Sequence, residues 1–428
     1  MKIIKLNNET RKEILNTLAT RSHTDNDEYT KIVNDIVENV RLNGDKAVFE
    51  YTNKFDKADI NENNFIVTEE EIKEAYSLVS DRLISIIRNS IANIKAFHEC
   101  QLRQSFFKTE DGIILGQRVL PLETVGLYVP GGKAAYPSSV LMNVVPAKVA
   151  GVKCVQIATP VNSEGKINPN TLVAAKEAGA DIIYKMGGAQ AIAAFAYGTD
   201  MVKKADKICG PGNIFVALAK RAVYGSVNID SIAGPSEILV LADETANPKF
   251  VAADLLSQAE HDEMASAILV TTSDTLAQKV KDELNAFIEK LPRKDIITSS
   301  INNYCYLVVA DSMDDATKLV DDIASEHLEI VTKNPFETMT KVHNAGAIFL
   351  GEYSSEPLGD YYAGPNHVLP TNGTARFFSP LSVDDFIKKS SVISYSREAL
   401  EPVYQEIVDF AKAEGLTAHA NSIAVRFE

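Results

Sequence analysis

The sequence predicts an α/β protein with two Rossmann-like parallel-sheet domains, a helical N-terminal region and a short, mostly helical C-terminal tail. Three observations carry this. From residue 111 onward, short apolar runs closed by Gly or Pro alternate with helical stretches, the rhythm of βαβ units and parallel sheets. The runs come in two series. The chain's 428 residues also exceed the size at which one hydrophobic core stops growing, so more than one domain is expected.

Taken in order, residues 1–110 read as helical, with polar interruptions at RSHTDNDEYTK and LNGDKA. DRLISIIRNSIANIKAFHECQ spaces its apolar residues for a long amphipathic helix. A first α/β domain, 111–232, holds the strand-like runs TVGLYVP, KCVQIATP, DIIYKMG and ADKICGPG. A second, 233–380, holds EILVLAD, SAILVTT, YCYLVVAD, LEIVTK and GAIFLG. No close sequence repeat links the two series. After RFFSPLSVDDF the chain ends in the tail, 381–428.

Bulk properties narrow the function classes. Hydrophobic residues at 45% and charged residues at 24% are ordinary for a soluble globular protein. A net charge of −15 argues against nucleic acid or anionic lipid as partner. The N-terminus, MKIIKLNNETRKEILNTLATRS, lacks the apolar core of a secretory signal, and no apolar run is long enough to span a membrane. Cys100, Cys154, Cys209 and Cys305 are far apart, form no CxxC pair, and read as small core residues in a reduced, cytoplasmic setting.

The chemistry gathers at a few stretches. In DLLSQAEHDEMA, Asp254, Gln258 and His261 are spaced to share one helix face, which is either a solvated face or a metal or substrate site. Three glycine-bearing turns precede helical patterns: YVPGGKAAYPSS, MGGAQAIAAFAYG and CGPGNIFVALAKRAVYG. Glycine allows close backbone approach and helix N-termini attract phosphate, yet neither GxGxxG nor a P-loop is present. Of seven histidines, His23, His98 and His343 lie in polar helical contexts and read as surface residues. His261, His327, His367 and His419 are flanked by small, Gly-rich or carboxylate-bearing stretches, with Glu326 and Asp360 in the same company.

These stretches resemble one family. GPGNIFVALAKRAVYGSVNIDSIAGPSEILVLAD, followed by VAADLLSQAEHDEMASAILVT, is similar to histidinol dehydrogenases, as are the later GAIFLG, GDYYAGPNHVLPT, ARFFSPLSVDDF and GLTAHANSIAVR. The resemblance runs in order over roughly 25–428. It implies a Zn²⁺ ion in each subunit held by Gln258, His261, Asp360 and His419, a nitrogen and oxygen donor set that would also accept manganese or cobalt. It further implies two NAD-dependent oxidations of L-histidinol at one site, through histidinal to histidine, within histidine biosynthesis. His327 then corresponds to the base for the hydroxyl proton and Glu326 to the residue that activates water. Ser236, His367 and Glu414 match substrate contacts, joined by the metal ligands and His327. Tyr128, Gln190 and Asn213 match NAD contacts, one in each glycine turn. The family also implies a homodimer in which the tail supplies Glu414 and His419 to the partner's site.

One expectation conflicts with the strand pattern. LEIVTK as a parallel strand puts Glu326 and His327 at its start, whereas α/β sites usually gather at carboxyl ends. Two other readings are weaker. A related zinc and NAD dehydrogenase for another small hydroxy compound would be expected to change Ser236, His367 or Glu414. A non-catalytic zinc-binding relative would be expected to lose Glu326 or His327.

Overall fold

The computed structural model describes residues 2–21, 27–131 and 136–428. His23 and residues 132–135 of the first glycine turn lie outside the described residues. The chain divides into two compact units, Met1–Gln101 with Leu122–Phe386, and Leu102–Pro121 with Ile387–Glu428.

The first unit opens on β1 (Lys2–Lys5), α1 (Asn8–Arg21), α2 (Asp27–Asp56), α3 (Glu69–Leu78) and α4 (Asp81–Glu99). The stretch LNGDKA is where α2 breaks, because Gly44 takes φ +54°, a left-handed value that costs glycine nothing. A capping box starts α3: Thr68 Oγ1 accepts from the Glu71 amide, and the Glu71 carboxylate accepts from the Thr68 amide. α4 is the expected amphipathic helix, burying Ile84, Ile87 and Ile94. His98 continues that inward face, so the surface reading of it was wrong. It is fully buried, with Nδ1 2.7 Å from Gln101 Oε1. His343 is exposed, beside Asp321.

β2 (Phe106–Glu110) and β3 (Ile113–Pro121) belong to the second unit. The first unit resumes with β4 (Thr124–Tyr128), α5 (Pro137–Ala150), β5 (Cys154–Thr159), α6 (Pro169–Ala178) and β6 (Ile182–Lys185). α7 (Gly188–Tyr197), β7 (Lys207–Cys209), α8 (Ile214–Val223) and β8 (Asn228–Ile229) follow. These strands make a parallel sheet in the order β6-β5-β4-β7-β8.

A second parallel sheet is built from β9 (Glu237–Ala242), α9 (Pro248–Ala259), β10 (Ser266–Thr271), α10 (Asp274–Ile288), α11 (Lys294–Tyr304) and β11 (Cys305–Val309). It continues with α12 (Met313–Ile323), β12 (His327–Val331), α13 (Pro335–Met339), β13 (Ala347–Leu350) and the short α14 (Glu356–Leu358). The strand order is β1-β11-β10-β9-β12-β13. Every residue of β9, β10 and β12 is buried, as continuous apolar runs require of strands covered on both faces. Alternation divides β9 between two cores. Ile238, Val240 and Ala242 pack with Leu255 and Val280 on one face, while Leu239 and Leu241 pack with Ile14, Leu319 and Leu328 on the other.

β1 departs from the helical reading of the N-terminus. KIIK is a short edge strand whose Ile3 pairs with Leu307. The tail is mostly helical, as expected, with one strand added. β14 (Ile387–Tyr395) pairs antiparallel with β3, and β3 with β2, before α15 (Arg397–Leu400), α16 (Tyr404–Ala413) and α17 (Thr417–Ala424). Among the described residues of this second unit, only Val408 and Ala420 are buried. All four cysteines are free thiols. Cys209 and Cys305 are buried as expected of core residues, whereas Cys100 is exposed. Among the described residues no helix is long and apolar enough to cross a membrane.

Candidate active site

β12 runs parallel to β9 with His327 opposite Ile238, so Glu326 and His327 do stand at the amino ends of the central strands. The residue that makes this possible is Glu237, which opens β9. Its amide donates to Glu326 Oε2 at 2.9 Å, and its own Oε2 accepts from the Glu326 amide at 3.3 Å. Its carbonyl oxygen accepts from His327 Nδ1 at 2.9 Å. Both candidate catalytic side chains are thereby fixed to a main chain that the sheet register holds still.

Around this pair the loop after β13 folds inward. Asp360 sits in the wide helical turn Gly359–Ala363, its Oδ1 3.8 Å from His327 Nε2 and 3.7 Å from His367 Nδ1. α4 holds the loop in place: Ser90 Oγ donates to the Tyr361 carbonyl and Asn93 Nδ2 to the Tyr362 carbonyl, each at 2.8 Å. His367 Nε2 lies 3.4 Å from Ser139 Oγ, at the start of α5, so elements of both sheets meet here. Gln258, near the end of α9, is buried with Nε2 3.1 Å from His327 Nδ1. α9 ends at Ala259, so His261 stands beyond the helix rather than on its face. It is exposed, yet near enough for Asp360's charge to act on its ring.

Asp254, the third member of that spacing, hydrogen-bonds the buried Glu329. Glu329 Oε1 accepts from the Glu356 amide at 2.8 Å, and Ser257 Oγ donates to Glu356 Oε2 at 2.9 Å.

The site is crowded with buried carboxyl groups. Burial, with the charges of Glu237 and Asp360 added, pushes Glu326 up to about 8. Burial pushes Glu356 up to about 7. Burial opposes the charged form of His327, but Glu326 and Asp360 override it and lift the ring to about 10. Such a surplus of negative charge suits a divalent cation. His327, Glu356 and Asp360 offer one donor atom each, all within 4.8 Å of one another, and His327 Nε2 is buried without a hydrogen-bond partner. Asp360 is the member this trio shares with the ligand set implied by resemblance.

The second and third glycine turns lie at the carboxyl ends of β6 and β7, and the described start of the first follows β4, where parallel sheets usually bind ligands. Tyr128 Oη accepts from the Gly188 amide at 3.2 Å. Gln190, in the first turn of α7, is buried with Oε1 unpartnered. Gly188 has φ +63°, and a Cβ there would fall 2.7 Å from that oxygen. Asn213 caps α8 by accepting from the amides of Phe215 and Val216. An unpartnered buried acceptor beside glycine at a helix start fits a bound polar cofactor.

Residues 19–427 match the family model described as histidinol dehydrogenase. The chain belongs to the histidinol dehydrogenase family. It is 57% identical over 413 residues to the histidinol dehydrogenase of Clostridium acetobutylicum, covering 96% of this chain and 95% of that one. It is 56% identical to that of Bacillus subtilis, covering 94% and 93%. The crystal structure of histidinol dehydrogenase from Elizabethkingia anophelis superposes with a TM-score of 0.88 at 41% identity, covering 93% of this chain and 92% of that one. The chain is thus an enzyme of the dehydrogenase class.

For this histidinol dehydrogenase family member, the structure brings together Gln258, His261, Glu326, His327, Asp360 and His367. Ser236 immediately precedes Glu237 at the head of β9. Glu414, the C-cap of α16, and His419, within α17, lie exposed in the second unit. Sequence reasoning missed Ser139, Glu237 and Glu356. For Glu237 the signal was available, since a charged residue opening the apolar run EILVLA must be buried with a partner.

Proposed function

We propose that this protein oxidizes L-histidinol through L-histidinal to L-histidine with two NAD, using a zinc ion to hold the substrate, as a homodimer with shared sites in histidine biosynthesis. What carries the reading is the buried pair Glu326–His327, tied to β9 and facing Asp360, in a chain of this family. Gln258, His261 and Asp360, with His419 of the partner subunit, would hold the metal. Tyr128, Gln190 and Asn213, in the 111–232 domain, would hold NAD. Bound zinc supplies an electrophilic anchor for the substrate's imidazole and amine, and NAD supplies the hydride acceptor.

The protein's own groups do the rest. With the neighboring carboxylates neutralized by a bound cation, His327 would no longer be held protonated by them, and its unpartnered Nε2 takes the hydroxyl proton as the alcohol carbon loses hydride. Glu326, one oxygen tethered to the Glu237 amide, uses the other to draw a proton from water as it adds to the aldehyde. A second hydride loss from the hydrate gives the carboxylate. Ser236, His367 and Glu414 orient the substrate.

The test is the stoichiometry of purified protein given histidinol and NAD. Two NADH per histidinol are expected. Glu326→Gln should retain the first oxidation and slow the second, whereas His327→Asn should lower the alcohol step by ~10²–10⁴-fold. Equal loss of histidinol and histidinal oxidation in both variants would remove the separate roles.

A further inference from the structure

One buried ion pair is left unused by that chemistry. Arg21, the last residue of α1, and Glu237 are 2% and 3% exposed. The Arg21 Nη2 group is bonded to Glu237 Oε1. Its Nη1 donates to the carbonyl oxygens of Met264 at 3.0 Å and Ser236 at 3.4 Å. The guanidinium therefore grips the main chain just ahead of both β9 and β10, plus the one side chain that holds the Glu326 amide.

Glu237 engages its partners from every side. One carboxylate oxygen faces Arg21 and the other accepts from the Glu326 amide. Its amide donates to Glu326 Oε2, and its carbonyl accepts from His327. A carboxylate this deep is tolerable only with a cation and hydrogen bonds satisfying it. A sheet needs no such arrangement at a strand start, since an apolar residue would extend the run Ile238–Ala242 more cheaply. The arrangement makes sense as a device that fixes Glu326.

We propose that Arg21 and Glu237 are positioning residues for Glu326. The Glu237 carboxylate holds the Glu326 main chain, and Arg21 grips the Ser236 carbonyl of the peptide whose N–H holds one Glu326 carboxylate oxygen, so that the other oxygen meets the water of the second oxidation. The proposal rests on Glu326 being the water-activating residue, as read above. Removing the pair should displace Glu326 without touching the substrate. The Glu237 amide and carbonyl both survive side-chain replacement, so His327 keeps its contact. Glu326 loses the acceptor for its main-chain amide and the grip on the Ser236–Glu237 peptide that steadies its carboxylate, so the alcohol step should suffer less.

The experiment separates this from a purely structural role. The full-length Arg21→Met/Glu237→Met protein replaces the pair with apolar side chains of similar length, a change that often preserves stability. It is compared with wild type and Glu326→Gln for thermal midpoint and for kcat and KM on histidinol and histidinal separately. Expected are a midpoint near wild type, a KM for histidinal within ~2-fold, and a kcat for histidinal lower by ~10-fold or more, the scale that misplacement of a reacting group produces. A folded double variant with wild-type kcat on histidinal overturns the proposal. Should the double variant not accumulate as folded protein, Arg21→Lys decides. Lysine keeps the charge but cannot grip two carbonyls and a carboxylate with a planar fork. Its histidinal kcat should fall by ~3-fold or more at unchanged KM, and an unchanged kcat again overturns the proposal. Absence of NADH from wild type with histidinol would instead defeat the functional reading. Two NADH from wild type and one from Glu326→Gln, beside an unaffected pair variant, would defeat the positioning role alone.

Discussion

Asp56, the last residue of α2, shows how one buried carboxyl sets a pH dependence. Burial pushes it up to about 6, against the Val161 amide that donates to it, and its Oδ2 has no hydrogen-bond partner. The folded form thus prefers the proton and the unfolded chain, near 3.8, gives it up more readily. Stability from this group is intact below about 3.8 and declines as pH rises through about 6. Asp56→Asn removes that decline. Urea unfolding at pH 5 and pH 7.5 should show the variant gaining about 1 kcal/mol over wild type between the two pH values, a figure reduced for the group's partial exposure. A wild-type-minus-variant difference independent of pH would show that Asp56 is not held protonated. Residue by residue, side-chain type was the legible part of the site. His327, His367 and Asp360 announced themselves by their company, and Gln258 by its spacing. Asp254 shared that spacing and serves Glu329 instead, a distinction no helical periodicity contains.

At the scale of elements, the strands that were legible are those with continuous apolar runs, because burial on both faces leaves no polar position to confuse them. The strands that escaped have no such run. β2 is exposed at every residue, β14 at all but Ile387 and Val392, β3 is half covered, and β1 and β8 are edges of two to four residues. Close approaches between elements were also invisible. Gly346, just before β13, lies so near β12 that an added Cβ would sit 2.5 Å from the Glu326 carbonyl oxygen. Gly346→Ala must therefore push the Glu326 main chain, which Glu237 holds from the opposite strand. Such overpacking typically costs about 1–3 kcal/mol, and turnover should fall by more than the stability loss explains. The check is kcat on histidinal well below the thermal midpoint. Full activity there would mean that the strand shifts without moving the carboxylate. The Arg21–Glu237 bond, spanning 216 residues of sequence, belongs to the same class of unreadable contact.

For the whole molecule, the second unit poses the largest question. Its sheet and helices leave Phe106, Phe107, Ile393 and Phe410 between 55% and 74% exposed, and among its described residues only Val408 and Ala420 are buried. A unit this small cannot build a core of its own, and exposed aromatic surface on that scale marks a contact face. Glu414 and His419 ride on this same unit, exposed. The isologous dimer proposed above would resolve both facts at once, since each chain could lay its tail on the other and complete the other's site at equivalent positions. The prediction uses two variants, His261→Ala and His419→Ala, each expected to be inactive alone through loss of a proposed metal ligand. Co-expressed with different tags and purified through both, they give mixed dimers. With exchanged tails, one site of each mixed dimer collects both substitutions and the other collects neither, so activity returns at about half the wild-type value per dimer. With tails serving their own chains, every site keeps one defect, and verified mixed dimers stay inactive.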